Sequence, residues 1–255
     1  MTELIDTRLD GRVLDIRLNR LDKKNALTHA MYEGLNEAFE RAAGDREVRV
    51  ILLRGSEECF TAGNDLGDFL NNPPSSQDAP VFRFLGHLVN NQKPLVAAIN
   101  GAAVGIGTTV ALHCDLVFAG DNTKFALPFV NLGLVPEAAS SFLLPQLAGH
   151  VRAAELLMLG QPFDARTAYE LGLINRVCAA GETYATALDA AQRLAQQPPE
   201  SVRLTKALMK QAHKGRVEQT MLDEAAQFMQ RLGSEEAKEA FTAFFEKRKP
   251  DFSRF

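Results

Sequence analysis

At 255 residues, with 46% hydrophobic and 24% charged residues, the chain can bury the core of one large domain and is too ordinary in composition for a disordered segment or a fibrous repeat. Its 28 basic and 32 acidic residues leave a net charge of -4, which gives no electrostatic ground for nucleic acid or an anionic membrane as the main partner. Cys59, Cys114 and Cys178 are odd in number and form no C-x-x-C pair, which fits a reducing compartment. The acidic start Met1-Thr2-Glu3-Leu4-Ile5-Asp6 lacks the basic-then-apolar pattern of a leader, so a cytoplasmic protein is the expectation.

In chain order, Val13 to Leu18 alternates as a half-buried strand would, with Leu14, Ile16 and Leu18 on one face and Asp15 and Arg17 on the other. Thr28 is placed to cap a helix whose apolar stripe runs through Met31, Leu35, Ala38, Phe39 and Ala42. Val48 to Leu53, Pro94 to Ile99 and Asp115 to Ala119 read as further buried strands. Strands alternating with helices imply an α/β core. The stretch from Leu95 to Cys114 has no charged residue and the length of a membrane span, but Asn100 and three glycines break it into strand, turn and buried helix. Asn71 to Asp78, with two prolines and little that is apolar, has the composition of an exposed loop suited to a lid. Beyond Gln196-Gln197-Pro198-Pro199 only helical periodicity remains, which divides the chain into a core, 1–197, and a C-terminal helical subdomain, 198–255. The apolar residues of these helices need the core or another subunit to cover them.

The chemistry narrows by elimination. The five histidines show no H-x-x-H spacing, and no phosphate-binding loop, G-x-S-x-G elbow or S-x-x-K pair occurs. Two glycine-bearing turns remain. Phe60-Thr61-Ala62-Gly63-Asn64-Asp65 follows one strand, and Gly101 to Gly107 follows another and opens into a helix near Thr108. Each can present an unpaired N–H to a negatively charged oxygen, or be no more than a tight turn with helix caps from Asn64 and Asp65; spacing alone favours the plainer reading. Glu137 is the one Asp, Glu, Lys or Arg between Phe125 and Val151. Among apolar neighbours it suits a base with a raised pKa, or a first-turn acid after Pro136, and its context alone favours the latter.

Taken together, Leu18 to Leu27 (LNRLDKKNAL), Cys59 to Leu66 (CFTAGNDL), Asn100 to Gly107 (NGAAVGIG), His113-Cys114-Asp115 and the C-terminal Phe244 to Lys249 resemble the crotonase superfamily, the enoyl-CoA hydratase/isomerase family, over nearly the whole chain. The resemblance implies an α/β spiral of β-β-α turns with a C-terminal helical trimerisation region, in trimers or dimers of trimers. It implies an acyl-CoA thioester as substrate, with coenzyme A entering as part of that substrate and no separate cofactor or metal. The thioester oxygen is expected between the N–H groups of Ala62 and Ile106. Lys23, Lys24 and Ala26 are expected beside the nucleotide and Gly63, Asn64, Asp65 and Leu66 along the pantetheine, with Phe244 and Lys247 reaching the nucleotide from a neighbouring subunit.

Departures from the family pattern are informative. The two hydratase glutamates are replaced by Thr109 and Phe129, which are expected instead at the acyl pocket. Pro136-Glu137-Ala138-Ala139-Ser140-Ser141 matches the P-E-x-x-S-S turn of the peroxisomal-type 3-enoyl-CoA isomerases. The resemblance therefore implies double-bond migration from 3-enoyl-CoA to 2-enoyl-CoA with Glu137 as the single acid/base. Hydration or another crotonase reaction, and acyl-CoA binding without catalysis, are the alternatives.

Overall fold

The computed structural model, which describes residues 4–74, 76 and 78–255, is a spiral whose successive turns feed two sheets. β1 (Ile5–Asp10) and β2 (Val13–Leu18) form an antiparallel hairpin, and α1 (His29–Gly44) follows, its first turn capped by the Thr28 hydroxyl accepting from Met31 N–H. A repeating unit then sets in. β3 (Val50–Arg54) joins the first sheet and β4 (Cys59–Thr61) the second, with α2 (Leu66–Asn71) and α3 (Pro80–Asn90) after them. β5 (Leu95–Ile99) and β6 (Ala102–Val104) divide in the same way before the short α4 (Ile106–Thr109), and so do β7 (Leu116–Gly120) and β8 (Lys124–Ala126) before α5 (Ser140–Ala148) and α6 (His150–Ala154).

β9 (Phe163–Asp164) returns to the second sheet, α7 (Ala165–Glu170) crosses, and β10 (Arg176–Cys178) closes the first. α8 (Thr183–Gln196), α9 (Pro199–Gln211), α10 (Lys214–Leu232) and α11 (Glu235–Phe245) complete the chain. The first sheet has the order β1-β2-β3-β5-β7-β10 and the second β4-β6-β8-β9. From β2 to β10 the first sheet is parallel, as strands separated by crossovers must be.

Both faces of the first sheet are buried. Leu14, Ile16, Ile51, Leu53, Ala97 and Ile99 pack into the main core. Val13, Val50, Leu52 and Val96 pack on Ala187, Ala191 and Ala195, the small-residue stripe of α8. The alternation of β2 therefore does not mark a solvent face. Asp15 is 5% exposed and is held bidentate by Arg54 at 2.8 and 2.9 Å, with the Tyr184 hydroxyl at 3.1 Å. A buried charge is tolerated there because it is paired and hydrogen-bonded.

The helices after Pro199 are not a separate body. Phe228, Ala237 and Phe241 belong to the same buried cluster as the strands, and α10 packs on α3 and α5. In the 71–78 segment, expected as an exposed loop, Asn71, Asn72, Pro73, Ser76 and Asp78 are exposed, Asn71 ends α2 and Pro74 is buried, while Ser75 and Gln77 lie outside the described residues. The cysteines are free. Among the described residues no helix is long and apolar enough to cross a membrane, and Leu95 to Cys114 folds as β5, β6, α4 and a 3-10 turn.

Candidate active site

β4 and β6 are parallel neighbours, so the turns that leave their C-terminal ends lie side by side, the usual place for a site in such sheets. Their contact depends on glycine. A Cβ on Gly107 would stand 2.7 Å from Thr61 Cγ2, and one on Gly63 3.0 Å from the Val104 carbonyl oxygen.

The turn after β4 corrects one expectation. Ala62 N–H donates to the Lys24 carbonyl at 2.9 Å, so it cannot receive a ligand. Gly63, at φ 91°, redirects the backbone. Leu27 N–H then goes to Gly63 O and Asp65 N–H to Leu27 O, while Asn64 N–H meets no protein acceptor among the described residues. The free donor is therefore two residues further on than the expected one. Asn64 is also fixed through its side chain, whose Oδ1 accepts from the buried Tyr32 hydroxyl at 2.6 Å. Burial, with Glu137 nearby, holds the Tyr32 phenol well above its usual pKa, so it remains a donor.

The turn after β6 leaves the expected donor without a protein partner among the described residues. Gly105, at φ 56°, starts α4, and its carbonyl takes the N–H groups of Thr108 and Thr109 at 2.9 and 3.0 Å. Ile106 N–H and Gly107 N–H are left as first-turn donors without a protein acceptor among the described residues.

Glu137 reaches this place from the other side. Its Oε1 accepts from Thr109 Oγ1 at 2.5 Å, one helical turn beyond Ile106. Burial pushes its pKa up to about 8, with the Thr109 hydrogen bond opposing the rise and the Glu224 charge adding to it. Pro136-Glu137 does not open a helix. Ala138 and Ala139 follow with φ 58° and 56°, and α5 begins only at Ser140. Two consecutive left-handed non-glycine residues cost about 1–3 kcal/mol each and persist where the surroundings fix them. Here the Ala138 carbonyl accepts from His113 Nε2 at 2.7 Å, Glu224 Oε2 takes Ala139 N–H at 2.6 Å, and its Oε1 takes Ser141 N–H at 2.9 Å. Burial drives the His113 pKa down to about 4, so the ring is neutral and donates from Nε2.

The cavity beside Glu137 is walled by Phe69, Val81, Phe82, Leu85, Met221 and Phe228, with Asn64 and Glu224 on it as well. Its free volume of about 20 Å³ is room for one water rather than an acyl chain, so a chain is admitted only by displacing these side chains. α2, α3 and α10 thus build the wall expected from Thr109 and Phe129. Thr109 is fully buried and holds Glu137 instead, and Phe129 lies under the Gly105 turn in the core. A larger cleft of about 630 Å³ sits at the N-terminal ends of β3 and β5, away from all these groups.

The expected CoA residues divide. Asn25, fully buried, ties the Lys23 to Ala26 loop to β4 by donating to Cys59 O and Phe60 O at 3.3 and 3.0 Å. Lys23 and Lys24 remain exposed beside it. Asp65 is committed within the protein. It caps α2 by accepting from Asp68 N–H at 3.1 Å and pairs with Arg20 at 2.7 Å, and the same arginine bonds Ala26 O at 2.8 Å. Leu66 is half-buried against the core. Phe244 and Lys247, at the end of α11, are exposed and do not line the cavity at Glu137.

The sequence model for enoyl-CoA hydratase/isomerase matches residues 8–254. The chain belongs to that family. As a family member it is an enzyme of crotonase-type acyl-CoA chemistry, and its relatives divide between the two activities. A 2,3-dehydroadipyl-CoA hydratase of Escherichia coli (strain K12) is 32% identical over 253 residues, 99% of each chain. Enoyl-CoA delta isomerase 2 of Rattus norvegicus is 33% identical, over 94% of this chain and 63% of its own. A solved enoyl-CoA hydratase/isomerase from Pseudoalteromonas atlantica T6c superposes with a TM-score of 0.94 at 41% identity, over 98% of this chain and 99% of that one.

Proposed function

We propose that this family member moves the double bond of a 3-enoyl-CoA into conjugation, giving 2-enoyl-CoA, with Glu137 as the one acid/base. The thioester oxygen lies between Asn64 N–H and Ile106 N–H. The ionised Glu137 takes a proton from C2, the C2–H electron pair moves into a dienolate whose charge rests on that oxygen, and the protonated carboxyl returns the proton to C4. The C3=C4 bond becomes C2=C3, and nothing is consumed. Each N–H contributes ~3 kcal/mol to holding the enolate, by analogy with other oxyanion holes. A carboxyl titrating at about 8 is well matched to both halves of the shuttle near neutral pH.

The observation that carries this reading is that Glu137 is the one carboxylate on the cavity not tied to the backbone by both oxygens. Thr109 and Phe129 stand where hydratases of the resembled pattern have glutamates. The other acid on the cavity, Glu224, has both oxygens engaged by backbone N–H groups. Exposed apolar side chains on the terminal helices, Leu208 and Met209 at 70% and Phe244 at 57%, support assembly into the trimer or dimer of trimers.

The test follows enoyl-thioester absorbance with 3-hexenoyl-CoA and with 2-hexenoyl-CoA. A rise with the first substrate that is lost in Glu137→Gln supports the proposal. A fall with the second, through hydration, overturns it.

A further inference from the structure

Among the described residues, the turn that carries Glu137 is held from inside only by Ser140, whose N–H and hydroxyl donate to the Glu137 carbonyl at 3.0 and 2.6 Å. Ala138 and Ala139 both occupy the left-handed region, where a Cβ is disfavoured, and no side chain of the turn caps α5. What closes that helix end comes from 83 and 85 residues away. Glu224, on α10 and 7% exposed, gives one oxygen to Ala139 N–H and the other to Ser141 N–H. The next turn of the same helix carries Phe228, which with Met221 walls the cavity. One helix therefore closes the pocket and fixes the backbone of the base.

We propose that Glu224 is a positioning residue: its carboxylate holds the Ala138–Ala139 turn and so aims Glu137 at the substrate only while α10 is seated on the core. This rests on the reading of Glu137 as the base. Glu224 does not touch the reacting atoms; it acts through the N–H groups of Ala139 and Ser141, with the Ser141 side chain as a further partner. A glutamine there has one carbonyl oxygen for the two backbone donors, and its NH₂ faces the second of them, so one N–H of the turn loses its acceptor although the volume is the same.

The experiment is a double-mutant cycle between Glu224 and Ala139. Glycine at 139 adopts φ 56° without strain, so the turn then depends less on its distant clamp. Glu224→Gln, Glu224→Ala, Ala139→Gly and the two double variants are assayed with 3-hexenoyl-CoA, together with thermal unfolding and amide exchange at Ser141. In the Ala139 background, loss of Glu224 is expected to lower kcat at least tenfold with KM within about twofold and to speed exchange at Ser141 in folded protein. In the Ala139→Gly background the loss of kcat shrinks by at least threefold. Equal losses in the two backgrounds, or folded Glu224→Gln with kcat within twofold of the parent, overturn the proposal. If Glu137→Gln retains turnover, the reading of Glu137 fails separately. Exchange at Ser141 then decides this proposal alone: faster exchange on loss of Glu224 sustains the clamp, and unchanged exchange refutes it.

Discussion

The two halves of the active site are built by opposite means. On the donor side, Asn64 N–H and Ile106 N–H are freed by turns that follow neighbouring parallel strands, and Gly63 and Gly105 supply the positive φ each turn requires. On the base side, the turn after Glu137 uses alanine at two positive-φ positions, and besides the Ser140 bonds to Glu137 O it is held by His113 on one flank and Glu224 on the other. A glycine turn fixes its own shape, whereas a strained alanine turn takes its shape from its neighbours. In the proposed mechanism, proton transfer is thus entrusted to the half of the site that depends on the rest of the fold.

Substitutions can break this contrast in order of size. Glu137→Gln keeps the shape of the base and removes its chemistry, so kcat is expected to fall ~10³-fold with acyl-CoA affinity nearly unchanged, as read by steady-state kinetics and calorimetry. On the donor side Gly63→Ala forces a Cβ to within 3.0 Å of the Val104 oxygen at φ 91°. Displacing Asn64 N–H in this way is expected to lower kcat about 10²-fold, the loss of one donor. Unaltered kcat in that variant would remove Asn64 from the hole.

Thr109→Val deletes the hydroxyl that donates to Glu137. That bond opposes the burial-driven rise to about 8. Without it the pKa climbs further, a smaller fraction is ionised at neutral pH, and kcat at pH 7 falls about tenfold while the pH–rate limb moves upward. A limb that moves downward contradicts the assignment.

A further effect concerns stability rather than turnover. Glu137 titrates at about 8 when folded and near the ordinary 4.5 of a glutamate when unfolded. Between those values the folded state holds the extra proton, so its contribution is intact below 4.5 and is lost as pH rises to about 8. Glu137→Gln removes that loss and is expected to gain ~3 kcal/mol over the parent at pH 8 relative to pH 5, measured by denaturant unfolding at the two pH values.

The contrast also governs what could be read from residues alone. β2 was predicted at Val13 to Leu18, where it lies, and the Thr28 cap and the strands near 50, 95 and 116 follow from periodicity and cap chemistry. The three-residue strands β4, β6, β8 and β10 gave no period to detect. Asp15 looked solvent-facing because nothing in β2 announces α8, 169 residues on, whose Tyr184 bonds it. The donor turns were legible from their glycines, although the free N–H proved to be that of Asn64 rather than Ala62, because only the fold shows Lys24 O taking the latter. Glu137 stood out as a lone charge. The residues that hold it and its turn were not legible as such: Thr109 and His113 are marked only by the family pattern and Glu224 not at all, since none carries a local sign of its target.

The most direct test of the single-base shuttle is the fate of the proton itself. With 3-hexenoyl-CoA dideuterated at C2, early turnover in ordinary water should place deuterium at C4 of the 2-enoyl product, because the Glu137 carboxyl moves it within a cavity with room for about one water. A product carrying only solvent hydrogen at C4, or deuterium transfer that survives Glu137→Gln, would contradict the account.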